Sequence, residues 1–331
     1  MSSNPEAPDR AAFAVNGTHP HVEADPPATP QVHVLENQGW RVGLLPGTGG
    51  SVAFGQVRGV EGWVDLLRPA PGEGFVTPED CGSFVMLPWS NRIGRAQLRF
   101  RGQRHRLRVN ADDGTAIHGT ARDFPWEVSL ASRTAIAMSF DSREFCGVNY
   151  PWPFSATITY RLAGRRLTIS TEICNQHSAP VPVGFGHHPY FARSLAGPED
   201  AAHLELPFTE YFPLQRALPS GPALPVDARV DFRALRPLGD AFVDDCLTGR
   251  LDGAPVRIVY PESGRTVCMG FGEEFTHAVV YIPRDGPYFA VEPVTNANDA
   301  FSLHERGVPG SGLVVLEPDE GLRAEFWLEA S

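Results

Sequence analysis

The chain has 331 residues, 42% hydrophobic and 20% charged, enough for one large β domain or two ordinary ones and far from the composition of a disordered chain. A net charge of −11 and a pI near 5.5 argue against nucleic acid or an anionic membrane as partner. All 28 basic residues are arginine, so neither a Schiff-base lysine nor a P-loop lysine is available.

Residues 1–30 are rich in Pro, Ala, Asn and Asp without hydrophobic periodicity and read as a disordered Pro-rich tail. No apolar h-region precedes the fold and no stretch reaches the ~18 apolar residues of a membrane span. A cytoplasmic location is therefore expected. From Gln31 onward short β runs alternate with Gly, Pro and Asp, opening with Val32–Leu35 and Trp40–Leu45. Residues 97–109 alternate apolar and polar side chains around Arg101-Gly102, a hairpin with one solvated face. A second hairpin is predicted for residues 156–162 and 166–173 about Ala163-Gly164. Runs at 256–260, 266–271, 278–282 and 289–292 follow, and the runs 313–317 and 323–328 enclose a turn at Pro318-Asp319-Glu320-Gly321. No long segment carries a 3.6-residue apolar period, and 31 prolines with 33 glycines oppose a helical fold. The pattern predicts an all-β fold, a large antiparallel sandwich, with residues 31–331 as one domain.

The five cysteines, Cys81, Cys146, Cys174, Cys246 and Cys268, are dispersed, odd in number and without a CxxC pair, which predicts free thiols. No HExxH or GxSxG is present, and the adjacent His187 and His188 point to opposite faces if they lie in a strand. No metal is expected.

Four short segments supply a different chemistry: Asn91-Arg92-Ile93, Ile117-His118-Gly119, Gly186-His187-His188-Pro189-Tyr190-Phe191 and Glu292-Pro293. Together they offer a carboxylate, imidazoles and a guanidinium, each at the end of an apolar stretch. A site that moves protons on and off a polyhydroxylated ring needs such a set.

These segments resemble the aldose 1-epimerase (galactose mutarotase) family. Residues 91–110 are similar to its Asn-Arg-Ile segment with the hairpin that follows, and His118-Gly119 to its His-Gly. Residues 187–191 are similar to its Asn-His-(Pro/Ser)-Tyr-Phe, residues 244–247 to its Asp-His-x-Phe, and Glu292-Pro293 to its late Glu-Pro. All five occur in the family's order between about residues 35 and 328. The resemblance implies a β-supersandwich, no cofactor, and interconversion of the α and β anomers of a free monosaccharide by a monomer or homodimer. This sequence departs from the pattern at Ala96, His105, His187, Asp245 and Asn296-Ala297, positions that bear on which sugar is taken and leave the implied acid and base untouched.

On this reading Glu292 is the base, its backbone stiffened by Pro293. His188 is the acid, and a neighbouring carboxylate is expected to favour its protonated form. Alternation does not say whether His187 or His188 faces the ring; the resemblance selects His188. His118 is expected to bind the ring oxygen or a neighbouring hydroxyl. Arg92 offers a planar fork to two vicinal oxygens, and Asn91 either orients Arg92 or touches the sugar. Asp244 is favoured over Asp245 as the acceptor of ring hydroxyls, since only one of them can face inward. Trp126, Trp89, Trp152 and Tyr190 are candidate stacking platforms that fit a core equally well. Two alternatives remain: a non-catalytic sugar-binding or regulatory module, and a hexose-phosphate epimerase in which Arg92 would be joined by Arg95 or Arg99.

Overall fold

A computed structural model of the chain describes residues 31–72 and 76–331, so the expected tail at 1–30 lies outside the described residues. Two large sheets organise the rest, and every strand pair within them is antiparallel. The first has twelve strands. Along its main path His33–Glu36, Trp40–Leu45, Ser51–Arg58 and Trp63–Leu67 are followed by Tyr190–Ala192, Tyr288–Val294, His277–Ile282, Val243–Arg250, Phe208–Phe212 and Leu224–Pro225. The second has nine strands and is centred on Phe154–Ala163, Arg166–Asn175, Gly321–Ala330 and Arg265–Phe271.

Alternation decides how each strand lies. Arg166–Asn175 buries every second side chain, so Leu167, Ile169 and Ile173 meet the core while Arg166 and Thr168 face outward. One apolar cluster between the sheets runs from Leu35 to Ala330 and includes Trp40, Phe154, Tyr160, Phe191, Val291 and Phe326. Tyr288–Val294 behaves differently, being buried at every position except Tyr288. Its other face is covered as well, by the segments that build the hollow described below. A strand covered on both sides reads in sequence as a continuous apolar run, and that makes a glutamate inside it conspicuous.

Both predicted hairpins are present, as Gln97–Phe100 with Gln103–Arg106 and Phe154–Ala163 with Arg166–Asn175. At the first turn Arg101 and Gly102 both have positive φ, 50° and 74°, as a two-residue loop between twisted strands demands. The predicted turn at residues 318–321 does not join a hairpin. Val314–Leu316 pairs instead with Val181–Val183, because both edges of Gly321–Ala330 are already taken by Arg166–Asn175 and Arg265–Phe271. The one α-helix among the described residues is the six-residue Ala300–Glu305, and none is long and apolar enough to cross a membrane.

Candidate active site

Four neighbouring strands of the twelve-stranded sheet present one row of polar side chains on the face turned away from the second sheet. Register places Glu292 opposite Val279 and Asp244 opposite Tyr281, and Tyr190 opposite Ala290 on the next strand. Cross-strand partners share a face. The loop segments from the first hundred residues close over this row. Arg92–Ile93 pairs with Ala116–Ile117, which sets Arg92 beside His118. The backbone N–H of His118 donates to the Asn91 carbonyl at 2.9 Å.

The turn is built from conformations that most residues avoid: Asn91 and His118 have φ of 53° and 62°. Gly119, at φ 72°, could not be another residue, because a Cβ there would lie 2.0 Å from the Leu87 carbonyl oxygen. Ser90 hooks this segment to the far end of the Glu292 strand, its backbone N–H and hydroxyl both donating to Asn296 Oδ1, at 3.2 and 3.0 Å. Asn296 is thus a tie between the two halves of the site.

The result is a hollow of about 240 Å³ lined by Asn91, Arg92, Ile117, His118, His188, Tyr190, Asp244, Tyr281 and Glu292. It brings together all six residues singled out from the sequence. Nε2 of His188 lies 3.1 Å from Oε1 of Glu292, and both side chains are almost wholly buried. The His188 ring is held between Phe84 at 4.9 Å and Tyr190 at 4.3 Å, and the His118 ring meets it edge-on at 5.4 Å. Arg68 lies over the other aromatic wall, 3.8 Å from the Tyr190 ring centre.

Arg92 is fixed from two sides. Its Nε donates to Asp113 Oδ2 at 2.9 Å and its Nη1 to Asn91 Oδ1 at 3.3 Å, so Asn91 orients the guanidinium. Asp113 is held in turn by the Thr115 backbone N–H and hydroxyl. Arg95 and Arg99 do not line the hollow, and Arg92 is the single arginine among its lining residues.

Three buried polar atoms of these residues have no partner within the protein: Nδ1 of His118, Nδ1 of His188 and Oε2 of Glu292. Unsatisfied buried polar atoms are costly, and these three belong to residues that line the hollow.

Burial dominates the electrostatics. It pushes the Glu292 carboxyl well above the ordinary carboxylate range, with Asp244 adding to the effect and Arg92 opposing it. It pulls His188 below the usual imidazole value, and the guanidiniums of Arg68 and Arg122 pull the same way. His118 is lowered too, by burial first and then by His188, Arg122 and Arg92. Asp244 is raised by burial, against Arg92. The expectation that a nearby carboxylate would favour protonated His188 is therefore corrected: desolvation outweighs attraction. The pair is best described as two buried groups that share one proton.

The two ambiguities of alternation are resolved in space. His187 points the other way, into the gap between the sheets, with its Nε2 2.8 Å from Thr171 Oγ1 and its ring against Phe326. Asp245 is bound by both terminal nitrogens of Arg229. Trp89 and Trp126 are buried in the core, and Trp152 packs on Phe100, His105 and Tyr150, so of the four aromatic candidates only Tyr190 reaches the hollow. Sequence reasoning missed Tyr281, Phe84 and Asp113. For Tyr281 a signal existed, since it alternates in phase with Val279 along one strand, but the pairing that sets it opposite Asp244 is not written locally. Among the described residues no group of three or more His, Cys, Asp or Glu is arranged to hold a metal ion.

A family model described as aldose 1-epimerase matches residues 34–329. The uncharacterized protein YphB of Escherichia coli K12 is 24% identical over 284 residues, covering 81% of this chain and 91% of its own. YihR of the same organism is 25% identical, covering 73% and 77%. Among solved structures, a galactose mutarotase-like protein from Clostridium acetobutylicum superposes with a TM-score of 0.78 at 17% identity, covering 91% of this chain and 98% of its own. The galactose 1-epimerase of Lactobacillus acidophilus gives 0.71 at 15%, covering 90% and 93%. At such identities the structural likeness carries the fold alone.

Proposed function

The chain belongs to the aldose 1-epimerase family, and from that membership we propose that it interconverts the α and β anomers of a free aldose by acid/base opening and reclosure of the ring. The observation that supports this most is the buried pair, Glu292 Oε1 and His188 Nε2 at 3.1 Å, in a hollow whose other polar groups suit sugar hydroxyls.

The steps balance on that pair. With Glu292 ionised and His188 protonated, Glu292 takes the proton from the O1 hydroxyl, C1=O1 forms, the C1–O5 bond breaks, and O5 takes the proton from His188. The pair now carries its one proton on Glu292. Rotation about C1–C2 presents the other face of the aldehyde. O5 then attacks C1 while His188 recovers its proton and Glu292 returns one to O1. The net charge of the buried pair is the same throughout, although burial favours the neutral arrangement, with the proton on Glu292, over the ion pair from which ring opening starts. Each proton transfer contributes typically ~10²–10⁴-fold. Arg92, braced by Asp113 and Asn91, and Asp244 hold ring hydroxyls; His118 donates to or accepts from the ring oxygen region.

In the same reading residues 31–331 act as one domain, since a single apolar cluster joins Leu35, Phe191, Val291 and Ala330. A sugar phosphate is not favoured, because Arg92 has no second arginine beside it in the hollow. The test is equilibration of freshly dissolved α-glucose and α-galactose, followed by polarimetry or by NMR of the anomeric protons. Acceleration above buffer for at least one aldose is expected. Folded protein that accelerates none of a panel of hexoses and pentoses would leave a non-catalytic sugar-binding module as the better reading.

A further inference from the structure

A second concavity, of about 560 Å³, shares no residue with the hollow. It is formed where the turn at Asn37–Gly39, the end of Ser51–Arg58, the two turns at Arg133 and Gly164-Arg165, and the start of Arg265–Phe271 come together. Every ionisable side chain lining it is an arginine: Arg58, Arg133, Arg165 and Arg265. Among the described residues none of the four forms an ion pair, whereas Arg143, Arg233 and Arg257 elsewhere on the surface each find a carboxylate. The chain has 39 acidic residues against 28 arginines, so a cleft with four guanidiniums and no acid runs against its overall composition.

The walls are fixed. Arg165 Nε donates to the Ala330 carbonyl at 2.7 Å, and Arg265 Nη2 donates to the Arg58 carbonyl at 2.8 Å. Arg58 lies 5.4 Å from the centre of the Trp63 ring. The Asn37 amide donates to the Gly164 carbonyl at 2.9 Å, and its oxygen accepts from the backbone N–H groups of Gly39 and Trp40 at 2.8 Å. These contacts use one nitrogen of Arg165 and one of Arg265 and leave the rest of each fork free. Like charges gathered in a partly desolvated cleft repel, and a multiply charged anion removes that repulsion. Guanidinium forks match phosphate oxygens in pairs, and the volume falls in the usual range of about 300–1,000 Å³ for small-molecule sites.

We propose that this arginine cleft binds a small phosphate-bearing anion carrying at least two negative charges, as a site separate from the hollow. The test is titration calorimetry of the full chain at low salt with pyrophosphate, with inorganic phosphate and with glycerol 2-phosphate. Pyrophosphate is expected to saturate one site, with affinity that weakens as salt rises. R133E/R165E, which alters two exposed side chains, should lose tenfold or more in affinity, and Glu292→Gln should bind as the parent does. If R133E/R165E does not fold, the neutral R133Q/R165Q must show a loss in the same direction. Tighter binding of glycerol 2-phosphate than of inorganic phosphate points to a phosphorylated metabolite, and the reverse order points to the free ion. The absence of saturable heat for pyrophosphate up to about 10 mM, or equal binding by the parent and the charge-altered variants, overturns the proposal.

Discussion

His187 and His188 are one residue apart in the chain, as are Asp244 and Asp245, yet each pair is divided between two unlike regions. On the side of the sheet that meets the second sheet, His187 is bound to Thr171 and Asp245 to Arg229, so each polar group is satisfied by the protein itself. On the opposite side, Nδ1 of His188 and Oε2 of Glu292 have no protein partner, and Asp244 forms no ion pair among the described residues. The same residue types serve two purposes. One side completes its hydrogen bonds within the chain, and the other does not. Burial alone does not distinguish them, since His187, His188, Asp245 and Glu292 are all buried; the state of their hydrogen bonds does.

The sharpest way to break this contrast is Glu292→Gln. The amide keeps the shape but cannot take a proton, so kcat for anomer exchange should fall by ~10²–10⁴-fold, measured by the NMR of anomeric exchange. The thermal midpoint should stay level or rise, because an isolated buried acid is removed. A variant that retains parental turnover would take Glu292 out of the chemistry. The next largest effect separates the two aspartates. Asp244→Asn should raise KM by roughly 10–100-fold, the scale of a hydrogen bond to a charged group, at little cost in stability. Asp245→Asn should leave KM alone and lower stability by about 1–2 kcal/mol, discounted because Arg229 is partly exposed. If the two variants exchange behaviours in kinetics and urea melts, the two sides have been assigned the wrong way round.

Dependence on pH sharpens the same point. Burial raises Glu292 and lowers His188, so the pair holds its single proton over a wide window. A second proton enters only well below the ordinary imidazole range, and the single proton leaves only above the ordinary carboxylate range. The kcat/KM profile should therefore change by less than about twofold as pH falls through ~6.5, where an unperturbed histidine titrates. An acid limb centred near ~6.5 would mean that His188 is solvated in the folded protein.

How much of this was legible in the chain follows from what acts locally. Alternation and turn residues wrote out both hairpins and the strand texture, because those signals depend on neighbours two to four positions apart. Glu292 was picked out by its place before Pro293 at the end of an apolar run and by its order after the other segments, whereas the burial of that strand on both faces was visible only in the assembled sheet. Asp113 was not picked out, although it braces Arg92 from 21 positions away, because a turn aspartate looks the same whether it holds its own turn or a distant guanidinium. The pairing of Val314–Leu316 with Val181–Val183 was equally hidden, since edge availability is a property of the assembled sheet. The choice between His187 and His188 was never local; it depends on which side of the strand the second sheet packs.

That choice supplies the most delicate test. His187 is fully buried without a carboxylate, and desolvation holds its pKa down at about 3, whereas in the unfolded chain it titrates near ~6.5. Below ~6.5 the unfolded chain binds a proton that the folded one refuses, so stability is lost as pH falls toward 3. Asparagine does not titrate, and it can still reach the Thr171 hydroxyl. At pH 7 His187→Asn should cost about 1 kcal/mol or less from lost packing against Phe326. Between pH 7 and pH 5 the parent should lose on the order of 2 kcal/mol that the variant does not, read as diverging urea midpoints, so the variant overtakes the parent in acid. Anomer exchange should be unchanged throughout. Parallel pH slopes would show that the ring is not held neutral between the sheets, and a loss of turnover would move His187 to the side of the sheet that carries the hollow.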